Sequence, residues 1–121
     1  MKLTTLALAA ALSLPFATTA LAQTKPKHDE FFWLGEINKA TAVINTDEGL
    51  LDKSVTPLAY AGITKVLADG DKPGGKRPTL VITFEPLLIE AAGPQITLLH
   101  AGRSSQDILS TVRSAMLRDA C

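Results

Sequence analysis

Apolar residues recur at helical spacing in four segments of the chain, separated by turn-forming residues. The first segment begins after Asp29, a residue suited to cap a helix. Its apolar residues form one stripe, which comprises Trp33, Ile37, Ala40 and Ile44. The pattern predicts a helix from this cap to about Thr46, with Gly49 turning the chain.

The second segment has Ser54 as its predicted cap and Pro57 in its first turn, where a missing amide hydrogen leaves no helical bond unmade. Its predicted buried face comprises Val55, Leu58, Ala59, Gly62, Ile63, Val66 and Leu67. The helix is expected to end before DGDKPGGKRP (69–78), which reads as an exposed loop. The run GGK (74–76) is also open to a phosphate-binding interpretation, but the solvated turn is favoured because no strand precedes the run and no hydroxyl follows it.

The third segment has strand character at 80–82 and helical character from there to Gly93. A cap at Thr83 places Pro86 in the first turn, and Gly93 followed by Pro94 ends the helix. These three segments and the fourth, described next, all have helical patterns, so the sequence predicts an all-α fold.

The fourth segment places one apolar stripe opposite Arg113 and Arg118. The stripe comprises Ile108, Val112, Ala115 and Met116. The segment runs to the last residue without a stop signal, so we expect the stripe to lack cover and the chain to be oligomeric or loosely folded.

The first 22 residues have the build of a secretory signal peptide: Lys2, an uncharged apolar run, and Ala20-Leu21-Ala22 before Gln23. A membrane anchor is the alternative, but the apolar run is short and Pro15 interrupts it. The sequence therefore predicts cleavage after Ala22, a remaining chain of residues 23–121, a periplasmic or secreted location and no membrane attachment after cleavage.

Charge and cysteine content exclude several classes of protein. Loss of Lys2 from twelve Lys and Arg leaves eleven, against twelve Asp and Glu, so the chain lacks the basic surplus of a nucleic-acid binder. Cys121 is the only cysteine, so the chain cannot form an internal disulfide. No residue pattern predicts a metal site or a cofactor.

The segment TLLHAGRSSQDIL (97–109) concentrates polar side chains between two apolar runs. Ser104 and Asp107 have the spacing of a capping box, in which each side chain pairs with the other residue's amide. The same helix start, with Arg103, Ser105 and Gln106, could instead hold a carboxylate or phosphate. These residues alone favour the cap, and a single histidine such as His100 is more often structural.

Two segments resemble the fumarase, aspartase and argininosuccinate lyase superfamily, and argininosuccinate lyase most closely. EPLLIEAAG, from Glu85 to Gly93, is similar to a family helix that leads after seven positions to the motif His-Thr-Gly-Arg-Ser-Arg-Asn-Asp. HAGRSSQD, from His100 to Asp107, stands at that spacing here. VRSAMLRD resembles the start of the central-bundle helix, and EINKA and EGLLDK resemble the first helix and its turn.

The resemblance implies the family's N-terminal helical domain plus the start of a central-bundle helix, and a β-elimination that releases a fumarate-like product. It implies a small dicarboxylate or succinyl-adduct substrate, no cofactor or metal, and a homo-oligomer if the protein is full length. The substrate-binding residues would be Ser104, Ser105 and Gln106, with Arg103 and His100 in support. No catalytic residue is assigned, because the family's catalytic serine and second histidine lie further along the chain.

Departures from the family pattern bear on the substrate. Thr79 and Val81 stand where argininosuccinate lyases carry an acidic residue and a histidine, and Ser105 and Gln106 replace an Arg-Asn pair. Two hypotheses follow. The first is an exported lyase-like protein represented by its N-terminal region, and the alternative is a small helical periplasmic binding or interaction domain without catalysis.

Expression of the full chain in a bacterium is expected to give periplasmic protein that begins at Gln23, because small residues follow the uncharged apolar run. N-terminal sequencing of the periplasmic fraction measures this. Full-length protein retained in the cytoplasm would contradict it.

Overall fold

The computed structural model describes residues 26–121, so the predicted leader lies outside the described residues. Four α-helices follow in order: α1 (Glu30–Asp47), α2 (Thr56–Asp71), α3 (Val81–Ala92) and α4 (Ser105–Ala120). A 3-10 helix, Pro94–His100, connects α3 to α4. The described part of the chain contains no strand, and the all-α prediction is confirmed. None of its helices is long and apolar enough to cross a membrane.

The predicted cap of α1 is confirmed, but its predicted apolar stripe is right only in part: Ile37 is buried and Trp33 packs against the core, whereas the other two members do neither. Asp29 Oδ1 accepts a hydrogen bond from the amide of Phe32 at 3.0 Å. Ile44 is 58% exposed and Ala40 is exposed, so neither lies in the core. The buried face instead comprises Phe31, Leu34, Gly35, Ile37, Asn38, Thr41, Ala42 and Asn45. The stripe was misplaced because three polar side chains of α1 point inward.

The start of α2 differs from the prediction because the Ser54 side chain binds Asp52 instead of capping the helix. The backbone amide and the hydroxyl of Ser54 both donate to Asp52 Oδ1, at 2.8 and 2.6 Å. The helix begins at Thr56 after Val55, without a side-chain cap. It continues to Asp71, beyond the predicted end, and Leu58 is 49% exposed rather than buried.

The start of α3, by contrast, lies before the predicted cap. The helix begins at Val81, and the hydroxyl of Thr83 donates to the carbonyl of Leu80 at 2.9 Å instead of capping. Pro86 therefore stands inside the helix, not in its first turn. The predicted stop is confirmed, because Gly93 has φ +88°, a left-handed conformation that favours glycine.

One hydrophobic core joins all five elements. Helix α1 packs against α2, α4 and the 3-10 helix, and α3 packs against α2, α4 and the 3-10 helix. The largest fully buried side chains of this core include Phe31, Leu34, Ile63, Phe84, Leu88, Leu99, Ile108 and Val112. Ile108 and Val112 are 2% and 1% exposed, so the expectation that the α4 stripe lacks cover is wrong for its first half. Helices α1 and α3 supply that cover.

Arg77 ties the α2–α3 loop to the start of α1. Its Nε and Nη2 donate to the two carboxylate oxygens of Asp29, each at 2.8 Å. Nη1 donates to the carbonyl of Gly70 and to Asp71, and the guanidinium carbon lies 4.5 Å from the centre of the Phe31 ring. Hydrogen bonding from Arg77 holds the pKa of Asp29 below its usual value. The loop predicted as a simple solvated turn is thus anchored at one residue.

Arg77→Met is expected to lower the free energy of unfolding by about 1–2 kcal/mol, because it removes a bidentate, charge-assisted contact that is only partly exposed. Urea denaturation measures the change. Lys72→Met is the control: Lys72 contacts Asp69 at 2.8 Å, but its side chain is 69% exposed, and we expect a change below about 0.5 kcal/mol. Equal small changes in the two variants would contradict a role for Arg77 as an anchor.

Candidate carboxylate-binding site

A tight turn leads from the 3-10 helix into α4. The amide of Arg103 donates to the carbonyl of His100 at 3.1 Å, Ala101 has φ −54° and ψ 127°, and Gly102 has φ +76°. These values define a type II turn, whose third residue requires a positive φ. Gly102 meets that requirement without strain, so the turn delivers Arg103 directly before the first residues of α4.

The start of α4 carries the predicted capping box. Ser104 Oγ accepts from the amide of Asp107 at 3.2 Å, and the amide and hydroxyl of Ser104 donate to Asp107 Oδ2 at 3.1 and 2.8 Å. The hydrogen bond from the Ser104 hydroxyl is the main cause that lowers the pKa of Asp107. The Ser104 hydroxyl is therefore committed to the cap, whereas Ser105 and Gln106 are exposed in the first turn.

The inward polar side chains of α1 hold the segment that precedes α4. Asn45 Nδ2 donates to the carbonyl of Leu99 at 2.9 Å in a buried contact. Arg103 Nη1 donates to Thr41 Oγ1, and the Thr41 hydroxyl donates to the carbonyl of Ile37 at 2.8 Å. The segment from Leu99 to Arg103 is thus bound to α1 at both ends.

His100 is enclosed at the end of the 3-10 helix. Both of its ring nitrogens are buried and have no hydrogen-bond partner within residues 26–121. Burial lowers the pKa of His100, the carboxylate of Glu85 acts to raise it, and the charge of Arg103 acts to lower it. The net effect keeps the imidazole uncharged at neutral pH, so His100 does not add positive charge to the site.

A cavity of about 220 Å³ opens beside the first turn of α4. Ser105 and Gln106 line it on one side, and Thr79 and Val81 line it on another. Leu34, Leu80, Ile82, Leu109 and Val112 complete the lining. Its wall is therefore mainly aliphatic, with polar side chains at few points. A larger recess of about 590 Å³ lies between Trp33 and the outer face of α4, and none of the five predicted site residues lines it.

The five predicted site residues fall into separate environments around one helix start. Ser105 and Gln106 face the cavity, Ser104 is bound in the cap, Arg103 reaches toward α1, and His100 is enclosed. The two α1 residues that contact this segment, Thr41 and Asn45, were not predicted from the sequence. The signal was present, because Asn38, Thr41 and Asn45 stand three and four residues apart on one helix face, as core residues do.

The chemistry available at this helix start is the binding of a carboxylate or a similar anion. Arg103 supplies a positive charge, and the first amides of a helix lack acceptors within the helix. In residues 26–121, no three His, Cys, Asp or Glu side chains are grouped so as to hold a metal ion.

No protein-family model, curated protein or solved structure matches this chain.

The melting temperature is expected to fall between pH 7.5 and pH 5.5, and His100→Gln is expected to flatten this fall. A histidine whose pKa is lowered by folding stabilises the protein fully above its unfolded pKa, near 6.5, and this contribution is lost as the pH falls below that value. An unchanged pH profile in His100→Gln would contradict the buried, uncharged imidazole.

Proposed function

We propose that this chain is the first substrate-carboxylate-binding region of an exported protein similar to argininosuccinate lyase. The reaction of such a protein is a β-elimination that releases a fumarate-like product, and its substrate is a small dicarboxylate or a succinyl adduct. The fold would be the family's N-terminal helical domain with the start of a central-bundle helix. A full-length protein would assemble as a homo-oligomer.

The observation that carries the proposal is the position of four residues around the cavity beside α4. Ser105 and Gln106 belong to the segment that resembles the family's substrate-binding motif. Thr79 and Val81 stand where argininosuccinate lyases carry an acidic residue and a histidine. All four line the same cavity, although more than 20 residues separate the two pairs along the chain. Residues that the resemblance relates to one site thus lie together in space.

The electrostatics of the helix start are compatible with an incoming carboxylate. Asp107 places a negative charge in the first turn of α4, but the amide and hydroxyl of Ser104 donate to its carboxylate, and the charge of Arg103 helps to lower its pKa. In this proposal the amides and side chains of Ser105 and Gln106 hold the carboxylate. Arg103 supplies the opposing charge.

The chain supplies binding groups for elimination but not its catalytic groups. A proton must be removed next to the substrate carboxylate, and the family residues that do so have no counterpart in this sequence. His100 is the one imidazole of the motif HAGRSSQD, and both of its ring nitrogens are buried. Other segments or subunits would have to supply the base.

A small helical periplasmic binding domain without catalysis is the second candidate, and one observation favours it. Ile108 and Val112 of α4 are 2% and 1% exposed within this chain, so the first half of that helix needs no further subunit to cover it. The anion-binding groups would be the same. The two candidates therefore differ in chemistry and not in the site.

Arg103→Ala is expected to abolish the binding of fumarate and succinate, because it removes the positive charge next to the α4 amides. Titration followed by backbone amide NMR shifts of residues 103–107 measures the affinity. Arg113→Ala removes a like charge from the exposed face of α4 and should leave binding unchanged.

Ser104→Ala separates the role of the cap from ligand binding, with stability measured by urea denaturation and binding by the same titration. Loss of the cap should lower the free energy of unfolding by about 1 kcal/mol, because the hydroxyl pairs with Asp107. Dicarboxylate binding that survives Arg103→Ala would show that the motif is only a helix cap in this chain.

A further inference from the structure

We propose that the outer face of α4 is a dimerisation surface, on which α4 of a second copy of this chain packs in the opposite direction. Five of the six residues of this outer face are exposed, and Ala115 is partly buried. They recur three and four residues apart, so they lie along one side of the helix: Asp107, Ser110, Thr111, Ser114, Ala115 and Arg118. The inference is independent of the proposed function, because the pairing of two chains requires no ligand.

A groove between α1 and α4 accompanies the outer face. Five of the outer-face residues line the recess of about 590 Å³ that Trp33 of α1 borders. Most of these five side chains are small, and the distance at which two helices pack depends on the side chains between them. The recess therefore leaves room for the side chains of a second helix that approaches α4 closely.

The apolar stripe of α1 continues this groove. Ala40 and Ile44 lie seven and eleven residues after Trp33, on the same side of α1, and both are exposed. The start of α1 lies beside the end of α4, where the amide of His28 donates to Asp119 at 2.6 Å. The end of α1 is hydrogen-bonded to the segment before α4, so the two helices run antiparallel. A partner in the groove would thus cover apolar side chains that the core leaves exposed.

Charge complementarity favours a second copy in the opposite direction. Asp107 and Arg118 stand at the two ends of the outer face, equally far from the midpoint between Val112 and Arg113. A twofold axis at that midpoint places Asp107 opposite the partner's Arg118, and Arg118 opposite the partner's Asp107. A parallel copy would place like charges opposite each other, and a partner of uniform charge would match only one end.

The same axis pairs the small residues at the centre of the outer face. Thr111 lies opposite the partner's Ser114, and Ser110 lies opposite the partner's Ala115. The Thr111 hydroxyl donates to the carbonyl of Asp107 at 2.9 Å, so its oxygen can still accept from the partner's Ser114 hydroxyl. Thr111 and Ser114 can therefore be buried without leaving an unpaired donor.

Both charged ends can make a further contact. Asp107 Oδ2 accepts from Ser104, whereas Oδ1 has no hydrogen-bond partner within residues 26–121. The Arg118 side chain forms no hydrogen bond or ion pair within the same residues. Ion pairs at an exposed edge are weak, so these two pairs determine the direction of pairing more than its strength.

Sedimentation velocity over a series of concentrations measures association of the purified protein, and the wild type should show a monomer–dimer equilibrium. Arg118→Glu and Asp107→Lys each place like charges opposite each other at both ends, and each should weaken dimerisation about tenfold. Arg113→Glu is the control, because it makes the same charge change at an exposed position on another side of α4. It should leave dimerisation unchanged.

A mixture of the two charge variants is the decisive measurement. In a mixed dimer of Arg118→Glu with Asp107→Lys, both ends again carry opposite charges, so the mixture should dimerise although neither variant does so alone. Loss of the Asp107 cap cannot explain this recovery, because the loss persists in the mixture. A mixture as weakly associated as its components, equal effects of Arg118→Glu and Arg113→Glu, or a wild type that stays monomeric would each overturn the proposal.

Trp33 is the only tryptophan of the chain, so its fluorescence reports on the groove. The emission should shift to shorter wavelength as the wild type and Arg113→Glu dimerise, because the partner covers a ring that is only partly buried. Arg118→Glu at the same concentration should keep the longer wavelength. Dimerisation without a change in Trp33 emission would place the contact elsewhere and would overturn the proposal.

Discussion

The inward face of α1 is the constraint on which the other elements depend. It packs against α2, α4 and the 3-10 helix, and its buried side chains are apolar near the start and partly polar toward the end. Phe31 and Leu34 supply core volume, whereas Thr41 and Asn45 supply hydrogen bonds to the segment before α4. A purely apolar face would bury comparable area but would leave the Leu99 carbonyl without this donor. The same helix therefore closes the core and orients the candidate site.

Charged contacts secure the ends of elements in a chain whose only cysteine is its last residue. Arg77 joins the cap residue of α1 to the end of α2, and the Ser104–Asp107 box closes the start of α4. In both places hydrogen bonding lowers the pKa of a carboxyl group, so both contacts favour the folded state above the usual carboxyl pKa and weaken as the pH falls below it. Burial lowers the pKa of His100, so protonation of the unfolded chain reduces the stability of the folded state once the pH falls below about 6.5, a higher pH than for the two carboxyl groups.

The candidate site combines the buried face of α1 with the exposed first turn of α4. The proposed binding residues, Ser105 and Gln106, lie in the first turn of a 16-residue helix and line a mainly aliphatic cavity. The charge of Arg103 is tied back to α1 through Thr41. A dicarboxylate bound at the helix start would place its carbon atoms over this aliphatic wall and keep its second carboxylate outside the cavity, because the wall offers that charge no partner. Thr79 and Val81 make that wall less polar than the family pattern would.

Local patterns in the sequence determined four helices, the Asp29 cap, the Gly93 stop and the capping box of α4, because each depends on residues within one or two turns of one another. The buried face of α1 was decided only by the tertiary structure, whereas the starts of α2 and α3 differ from the prediction because Ser54 and Thr83 form other local hydrogen bonds. Polar residues could turn inward in α1 because carbonyl and guanidinium partners arrive from more than 50 residues away. Likewise, the five residues of the candidate site were predicted from the sequence. Which of them face the cavity was decided only by the packing of α1 and α3 around α4, because that choice depends on contacts that no local spacing encodes.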